Sequence, residues 1–482
     1  MPNTPDTATG FASTGTAFGT PTRIVILGGG FAGVILTRKL EALVGKRRDV
    51  EIVLVSRDNF FLITPLLFEA CSGTLELRHC SQPIRPFLRH ATFIEATADR
   101  IDLDRRTVSL TVPEGMVQDL TYDHLVLALG AKTNERLIPG STQAFTFKTV
   151  ADAIVLRNHL IERFERADVE TDADQKRRLL TVVIIGAGLV GTELMGELTA
   201  FVDEIVRWYR NVRRDEVRFH LIEAGERILG EVDPALAAHA AKVLGKRGVD
   251  IRTHAPVKSI GDGRVTMADD VIESSTIVLS AGITPNPLVA ALPIEKDRHG
   301  RIVVEATMRS ASRPSVWGLG DCAAVPDPTG TPYPSLAQHA VREAKTAAHN
   351  IACVLRGEQA RPFVYSQLGV MAALGRFQAI GRVVGIPLTG FPAWWTWRTY
   401  YLFQMPRWSR RIRIMIDWTI ALFFRPDIVK VDLAVESRQL ERGCAAGADG
   451  PVRVVAGEAT RARLTERREP EPMAASPAER RS

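Results

Sequence analysis

Two glycine-rich turns of the same design constrain this chain more than any other feature: Gly28-Gly29-Gly30-Phe31-Ala32-Gly33 and Gly186-Ala187-Gly188-Leu189-Val190-Gly191. Each follows a largely apolar run, Arg23-Ile24-Val25-Ile26-Leu27 in one case and Thr181-Val182-Val183-Ile184-Ile185 in the other, and each opens a helical pattern. In such a strand-turn-helix the first glycine permits the tight turn and the second lets the backbone approach a pyrophosphate. The third allows the helix to pack closely on the strand, and the phosphates rest on the helix N-terminus. A lone GxGxxG is weak evidence, but two in the required context argue against chance. The chain reads as α/β, with two Rossmann-like units that each hold a dinucleotide.

Strand patterns recur at Val50 to Val55, Tyr122 to Leu129 before Gly130, Val217 to Ile222, and Thr276 to Ser280 before Ala281-Gly282. Val316-Trp317-Gly318-Leu319-Gly320-Asp321 looks like a further strand that ends at a ligand and belongs with the first unit. The expected domains are therefore 21–150 with 300–361, and 151–299 inserted between them. An amphipathic helix from about Ala151 and a charged linker, Arg166 to Arg178, are expected ahead of the second turn. Residues 1–20 read as a disordered leader, without the cationic or apolar segments of a targeting peptide, and 431–482 as a disordered tail.

The composition is ordinary for a globular protein, 45% hydrophobic and 24% charged, with a net charge of +6. Cys71, Cys80, Cys322, Cys353 and Cys444 include no close pair, which argues against a disulfide framework, a zinc or other metal site, or a redox-active dithiol. Aromatics gather at Phe391, Trp394, Trp395, Trp397, Tyr400, Tyr401 and Phe403, and Arg407, Arg410, Arg411 and Arg413 follow at once. On a helix from Arg407 to Phe424, residues Trp408, Ile412, Met415, Ile416, Thr419, Ile420 and Phe423 share one face. Asp417 sits too centrally for a spanning segment. The pattern suits an interfacial helix, with region 362–430 as a membrane anchor and 391–425 on an anionic lipid surface. A dimerisation surface or a core-packing helix with solvated arginines is the alternative, so a homodimer stays open, whereas no nucleic-acid module surrounds the arginines.

With these elements placed, the chain resembles the type II NADH dehydrogenases, single-subunit NADH:quinone oxidoreductases that do not pump protons, over roughly residues 21–430. The resemblance is carried by Phe61-Leu62-Ile63-Thr64-Pro65-Leu66-Leu67, Gly318-Leu319-Gly320-Asp321-Cys322-Ala323, Ala337-Gln338-His339-Ala340-Val341-Arg342-Glu343-Ala344, and Leu402-Phe403-Gln404 leading to Phe423-Phe424-Arg425. It implies a tightly bound FAD at Gly28, Gly30 and Gly33, with Ser56, Arg57, Thr64, Pro65, Gly130, Gly320 and Asp321 around it. Ser56 stands where a ribose-binding acid is usual. It implies exchangeable NADH at Gly186, Gly188, Gly191 and Gly282. Glu223 would accept bonds from a ribose 2′-hydroxyl and repel a 2′-phosphate, at a spacing longer than the usual 20 or so residues.

Glu193 and Gln338 are the catalytic candidates that the resemblance supplies, one beside nicotinamide and flavin, the other toward quinone; His339 and Glu343 are weaker ones. A carboxylate in the first helical turn, as at Glu193, is also simply favourable there, by about 0.3–1 kcal/mol. The implied location is peripheral, on the cytoplasmic face of the inner membrane. Two other readings stay open: a sulfide:quinone oxidoreductase, which requires redox-active cysteines, and a non-catalytic NADH-responsive flavoprotein that presents a binding surface.

Overall fold

The computed structural model describes residues 20–366, 369–405, 407–424 and 427–430. The expected tail, Cys444, Arg425 and all but the last residue of the expected leader lie outside them.

Two parallel sheets organise the chain. The first has strand order Val316–Gly318, His124–Leu127, Thr22–Leu27, Val50–Ser56, Thr92–Glu95, every pair parallel. The second runs Val249–Arg252, Arg218–Ile222, Thr181–Ile185, Thr276–Leu279, again all parallel. Both are covered on their faces, which is why their central strands are near-continuous Val, Ile and Leu: Ile24 to Leu27 and Val182 to Ile185 are all buried. Each glycine turn follows the central strand of its sheet and starts a helix, Phe31–Val44 in the first and Leu189–Ile205 in the second. The Ala337–Val354 helix packs along Phe31–Val44.

Two short strands stitch the sheets together. Ala131–Thr133, directly after Gly130, pairs antiparallel with Ile283–Pro285, directly after Gly282. The carboxyl end of one sheet is thereby tied to the carboxyl end of the other. The 166–178 stretch is not a linker. The helix Val150–Val169, capped by a reciprocal Thr149–Asp152 box, runs into it, and Asp172 caps a second helix, Ala173–Leu179. Charge alone does not mark a loop when a capping residue starts a new turn.

Within the stretch expected to be a membrane anchor, residues Met371–Ala373, Ala379–Val383 and Ile386–Thr389 form an antiparallel three-stranded sheet. It packs against the Leu189–Ile205 helix at Gly196, where an added Cβ would stand 2.6 Å from the Leu374 backbone. The aromatic-basic segment follows as two helices, Gly390–Gln404 and Trp408–Phe423.

Candidate active site

The two glycine turns behave alike at the atomic level. Gly28 (φ +113°) and Gly186 (φ +98°) adopt backbone conformations that side chains avoid. A Cβ on Gly33 would lie 1.9 Å from Gly28 O, and one on Gly191 1.9 Å from Gly186 O. First and third glycines are thus demanded by the chain's own packing. The second glycines are different: a Cβ on Gly30 or on Gly188 meets nothing within 4 Å. Each faces open space at a helix N-terminus, the cradle that a pyrophosphate fills.

Around the first turn, Gly28, Ser56, Gly130 and Gly320 all stand at the carboxyl ends of strands of one sheet. Ser56 is buried against the turn, and a Cβ on Gly29 would come within 2.3 Å of its Oγ. Arg57 is exposed and paired with Asp58 at 3.0 Å. Thr64 and Pro65 open a 3₁₀ turn, Thr64–Leu66. Gly320 (φ +70°) donates its N–H to Glu343 Oε2 at 2.7 Å, which fixes the turn that presents Asp321. Burial, with the Asp321 charge adding to it, pushes the Glu343 carboxyl up to about 7 against the pull of that N–H. Lys148, which nothing in the sequence singled out, is held below the usual amine range by burial, with Asp321 opposing.

Around the second turn the structure brings Gly188 and Glu223 together in a cavity of about 350 Å³, lined also by Leu189, Gly225, Arg227 and Leu229. Glu223 Oε2 accepts the Ala187 N–H at 2.8 Å and Oε1 the Gly225 N–H at 2.8 Å, so its carboxylate is fixed at the rim. The cation in this cavity wall, Arg227, donates to the carbonyls of Leu229, Val232 and Gly230. Gly282 (φ +68°) ends the stitched strand pair.

Glu193 is buried in the first turns of the Leu189–Ile205 helix, and its Oε1 accepts the Ala373 N–H at 2.8 Å. Burial pushes its carboxyl up to about 8, partly offset by that N–H and the nearby Trp397 indole. Gln338 is the second residue of the Ala337–Val354 helix; its Oε1 accepts from Tyr365 Oη at 3.4 Å. His339 is buried in an aromatic cluster with Tyr333 and Tyr365, and burial lowers its pKa.

The C-terminal helices are pinned through Glu69. Arg398 reaches Glu69 Oε1 at 2.8 Å, the Trp418 indole donates to Oε2 at 2.6 Å, and the guanidinium lies between the Trp394 and Trp418 rings. No sequence signal joins residues so far apart. Asp417 is explained as well: it faces inward and bonds His79 Nδ1 at 2.5 Å. Ile414 and Trp418 are buried on this inner face, whereas Trp408, Ile412, Met415, Ile416, Ile420 and Phe423 are exposed on the other. Of the expected aromatics, Trp394 and Trp397 are core residues, and Phe391, Trp395 and Phe403 are exposed. No described helix is long and apolar enough to cross a membrane.

The chain matches the pyridine nucleotide-disulphide oxidoreductase family over residues 22–344. The chain is 32% identical to an Arabidopsis thaliana protein named internal alternative NAD(P)H-ubiquinone oxidoreductase A1, covering 85% of this chain and 86% of that one. It is 29% identical to the type II NADH:quinone oxidoreductase Ndh of Mycobacterium tuberculosis, over 83% of this chain and 87% of that one. The chain belongs to the type II NADH dehydrogenase family. Its fold matches that of NDH2 from Plasmodium falciparum, solved with NADH, at a TM-score of 0.78 and 19% identity, over 85% of this chain and all of that one. The sulfide:quinone oxidoreductase of Aquifex aeolicus shares the fold at a TM-score of 0.64 and 20% identity, over 85% of this chain and 96% of that one. The thiols oppose that second chemistry. Cys71, Cys80 and Cys322 are buried and unpaired, and burial pushes them up to about 12, 12 and 11, so thiolate, the reactive form, is scarce.

Proposed function

We propose that the protein oxidises NADH at the second glycine turn and delivers two electrons, through FAD held at the first, to a membrane quinone. The observation that carries this reading is the matched pair of second glycines, Gly30 and Gly188, each facing an open cradle. Hydride transfer between stacked rings needs position and electrostatics rather than an acid-base triad. FAD, when bound, supplies the two-electron carrier between nicotinamide and quinone; the chain's residues do the rest. Gly28, Gly30 and Gly33 hold its pyrophosphate, Ser56 bonds its ribose in place of the usual carboxylate, and Asp321, which makes no hydrogen bond among the described residues, is free to meet the ribityl hydroxyls. Glu223 holds the 2′-hydroxyl of NADH and repels a 2′-phosphate. Arg227, tied to three carbonyls, is not available to welcome one. Glu193 holds a proton near the reacting rings, and Gln338, at a helix N-terminus, orients the quinone carbonyl.

The exposed row Trp408, Ile412, Met415, Ile416, Ile420 and Phe423 enters the headgroup boundary of the cytoplasmic face of the inner membrane, with Arg407 and Arg413 on anionic lipid. A homodimer is the other use of that row. Anaerobic NADH should bleach the bound flavin and a short-chain quinone should restore its colour; a flavin that NADH leaves unbleached overturns the reading. Replacing Ile416 and Phe423 by Ser should release the protein from anionic vesicles; a change in mass without loss of vesicle binding favours the dimer.

A further inference from the structure

A cavity of about 330 Å³ lies between the 69–77 segment, the Leu189–Ile205 helix and the two C-terminal helices. It is distinct from the hydride-transfer site. Trp394 and Arg398 of the Gly390–Gln404 helix line it, whereas Trp397 and Tyr401 of the same helix approach Glu193, which does not.

The cavity wall carries more carboxyls than cations. Each of its three arginines already holds one acid: Arg398 holds Glu69 at 2.8 Å, Arg157 holds Asp427 at 2.7 Å, and Arg376 holds Glu204 at 3.1 Å. Glu76, Glu197 and Asp417 line the cavity as well. Asp417 bonds His79, and Glu76 meets the exposed Arg78 at 3.9 Å. Glu197 is buried; its Oε1 accepts from Ser72 Oγ at 2.5 Å, and its Oε2 makes no hydrogen bond among the described residues. Burial, with the Glu69 charge adding to it, pushes the Glu197 carboxyl up to about 7, against the pull of Ser72, Arg398 and Arg247. A buried acid that lines an opening and lacks a cation of its own is stabilised by a cation that enters.

The mouth has different chemistry. Arg376 is half-buried and donates to the Leu422 carbonyl at 3.0 Å. Ile420, Leu422 and Phe424 line the cavity and are exposed, so they stand where it meets the surface. From floor to mouth the order is carboxyl, guanidinium, apolar side chain. We infer that the cavity takes the headgroup of a zwitterionic membrane lipid that ends in a primary ammonium: the ammonium reaches Glu197, the phosphate lies by Arg376, and the acyl chains leave past Ile420 and Phe424. A primary ammonium carries three N–H donors, enough to bond Glu197 Oε2 and the Thr74 hydroxyl in the same wall, whereas a trimethylated head carries none. A head with net negative charge meets the surplus carboxyls and is repelled. The site rests on the lipid-facing reading of the Trp408–Phe423 helix and adds to it a preference for one class of lipid.

The test titrates the flavin-loaded full chain with lysophosphatidylethanolamine, lysophosphatidylcholine and lysophosphatidylglycerol, each below its micelle concentration. Heats are measured at pH 6 in two buffers of different ionisation enthalpy. The ethanolamine lipid should bind at least about tenfold more tightly than the other two. Its binding should release about one proton, because the ammonium ionises a carboxyl that is protonated in the free protein. Glu197→Gln, whose amide oxygen can still accept from Ser72, should lose about tenfold in affinity and release no proton. Ala200→Phe, which fills the cavity from the Leu189–Ile205 helix, should abolish binding. Equal affinity for the three lipids overturns the site, as does a proton count that Glu197→Gln leaves unchanged or binding that survives Ala200→Phe. The lysolipids are presented without a bilayer, so vesicle binding that survives the Ile416 and Phe423 replacements overturns the underlying reading of the helix instead.

Discussion

The two glycine turns share a backbone and differ in their rims. In both, a Cβ added to the first or third glycine would stand 1.9 to 2.7 Å from backbone atoms, and the second glycine faces open space. At the first turn the neighbouring strand ends in Ser56, whose Oγ presses on Gly29 so closely that no Cβ fits there. At the second, the matching strand is followed by Glu223, which reaches back to the Ala187 N–H at 2.8 Å, and the turn accommodates an alanine. On the function proposed above, the turn would fix where a pyrophosphate rests, while the rim residue would set charge and therefore choice of cofactor. A neutral, tightly packed rim suits a permanent occupant; a carboxylate at the rim of a cavity suits one that comes and goes and must be told from its phosphorylated analogue.

The largest effects should come from breaking the shared part. Gly33→Ala and Gly191→Ala each drive a Cβ into a carbonyl oxygen and should cost about 3 kcal/mol or more, read as a large loss in melting temperature or as insoluble protein. Gly30→Ala and Gly188→Ala meet no protein atom, so the fold should survive with a melting point within about 2 °C of wild type. They should separate the two rims: Gly30→Ala loses bound flavin, and Gly188→Ala keeps flavin but raises KM for NADH. Loss of flavin in both would break the distinction between a permanent and an exchanging site.

Next in size is the rim itself. Glu223→Ala should reduce the preference for NADH over NADPH by about 10- to 100-fold in kcat/KM, the range of a charge-assisted hydrogen bond of about 1.5–3 kcal/mol. Ser56→Ala should alter flavin retention by no more than about fivefold, because a neutral hydroxyl bond is worth about 1 kcal/mol at most here. An equal effect of the two would mean that the rims are not specialised.

The smallest expected effect is on stability against pH. Burial pushes Glu343 up to about 7 in the first unit and, in the second, Glu193 to about 8 and Glu197 to about 7. A group whose folded pKa is raised binds more protons folded than unfolded, so its contribution is complete below the unfolded value of about 4.5 and is lost as pH rises through the folded value. Glu343→Gln should therefore gain on wild type between pH 4.5 and 7, and Glu193→Gln between pH 4.5 and 8. The gain should be roughly 2–4 °C in melting temperature above those windows and vanish near pH 4. A gain that grows toward acid would show the sign to be wrong.

Much of the fold was legible because its signals are local. The runs Ile24 to Leu27 and Val182 to Ile185 are buried strands, the glycines after them are turns, and the period of Trp408 to Phe423 places its exposed face correctly. Glu197 could also have been noticed, since it lies on the same helical face as Glu193. Two features misled. The charges of 166–178 hid a helix start at Asp172, and the aromatic count hid that Trp394 and Trp397 belong to the core, because composition does not distinguish the two sides of a helix.

The sequence by itself determined two strand-turn-helix units with their glycines and a C-terminal helix with an apolar outer row, since each depends on residues within a few positions of one another. Only the tertiary structure decided what joins them. The strand after Gly130 pairs with the strand after Gly282, Glu193 finds the Ala373 N–H, Glu69 finds Arg398 and Trp418, and Ser72 finds Glu197. The partners joined by these hydrogen bonds stand between 125 and 349 positions apart in the sequence. Nothing in residue order sets such a contact, because it exists only once both sheets have closed and burial has made each polar group require a partner.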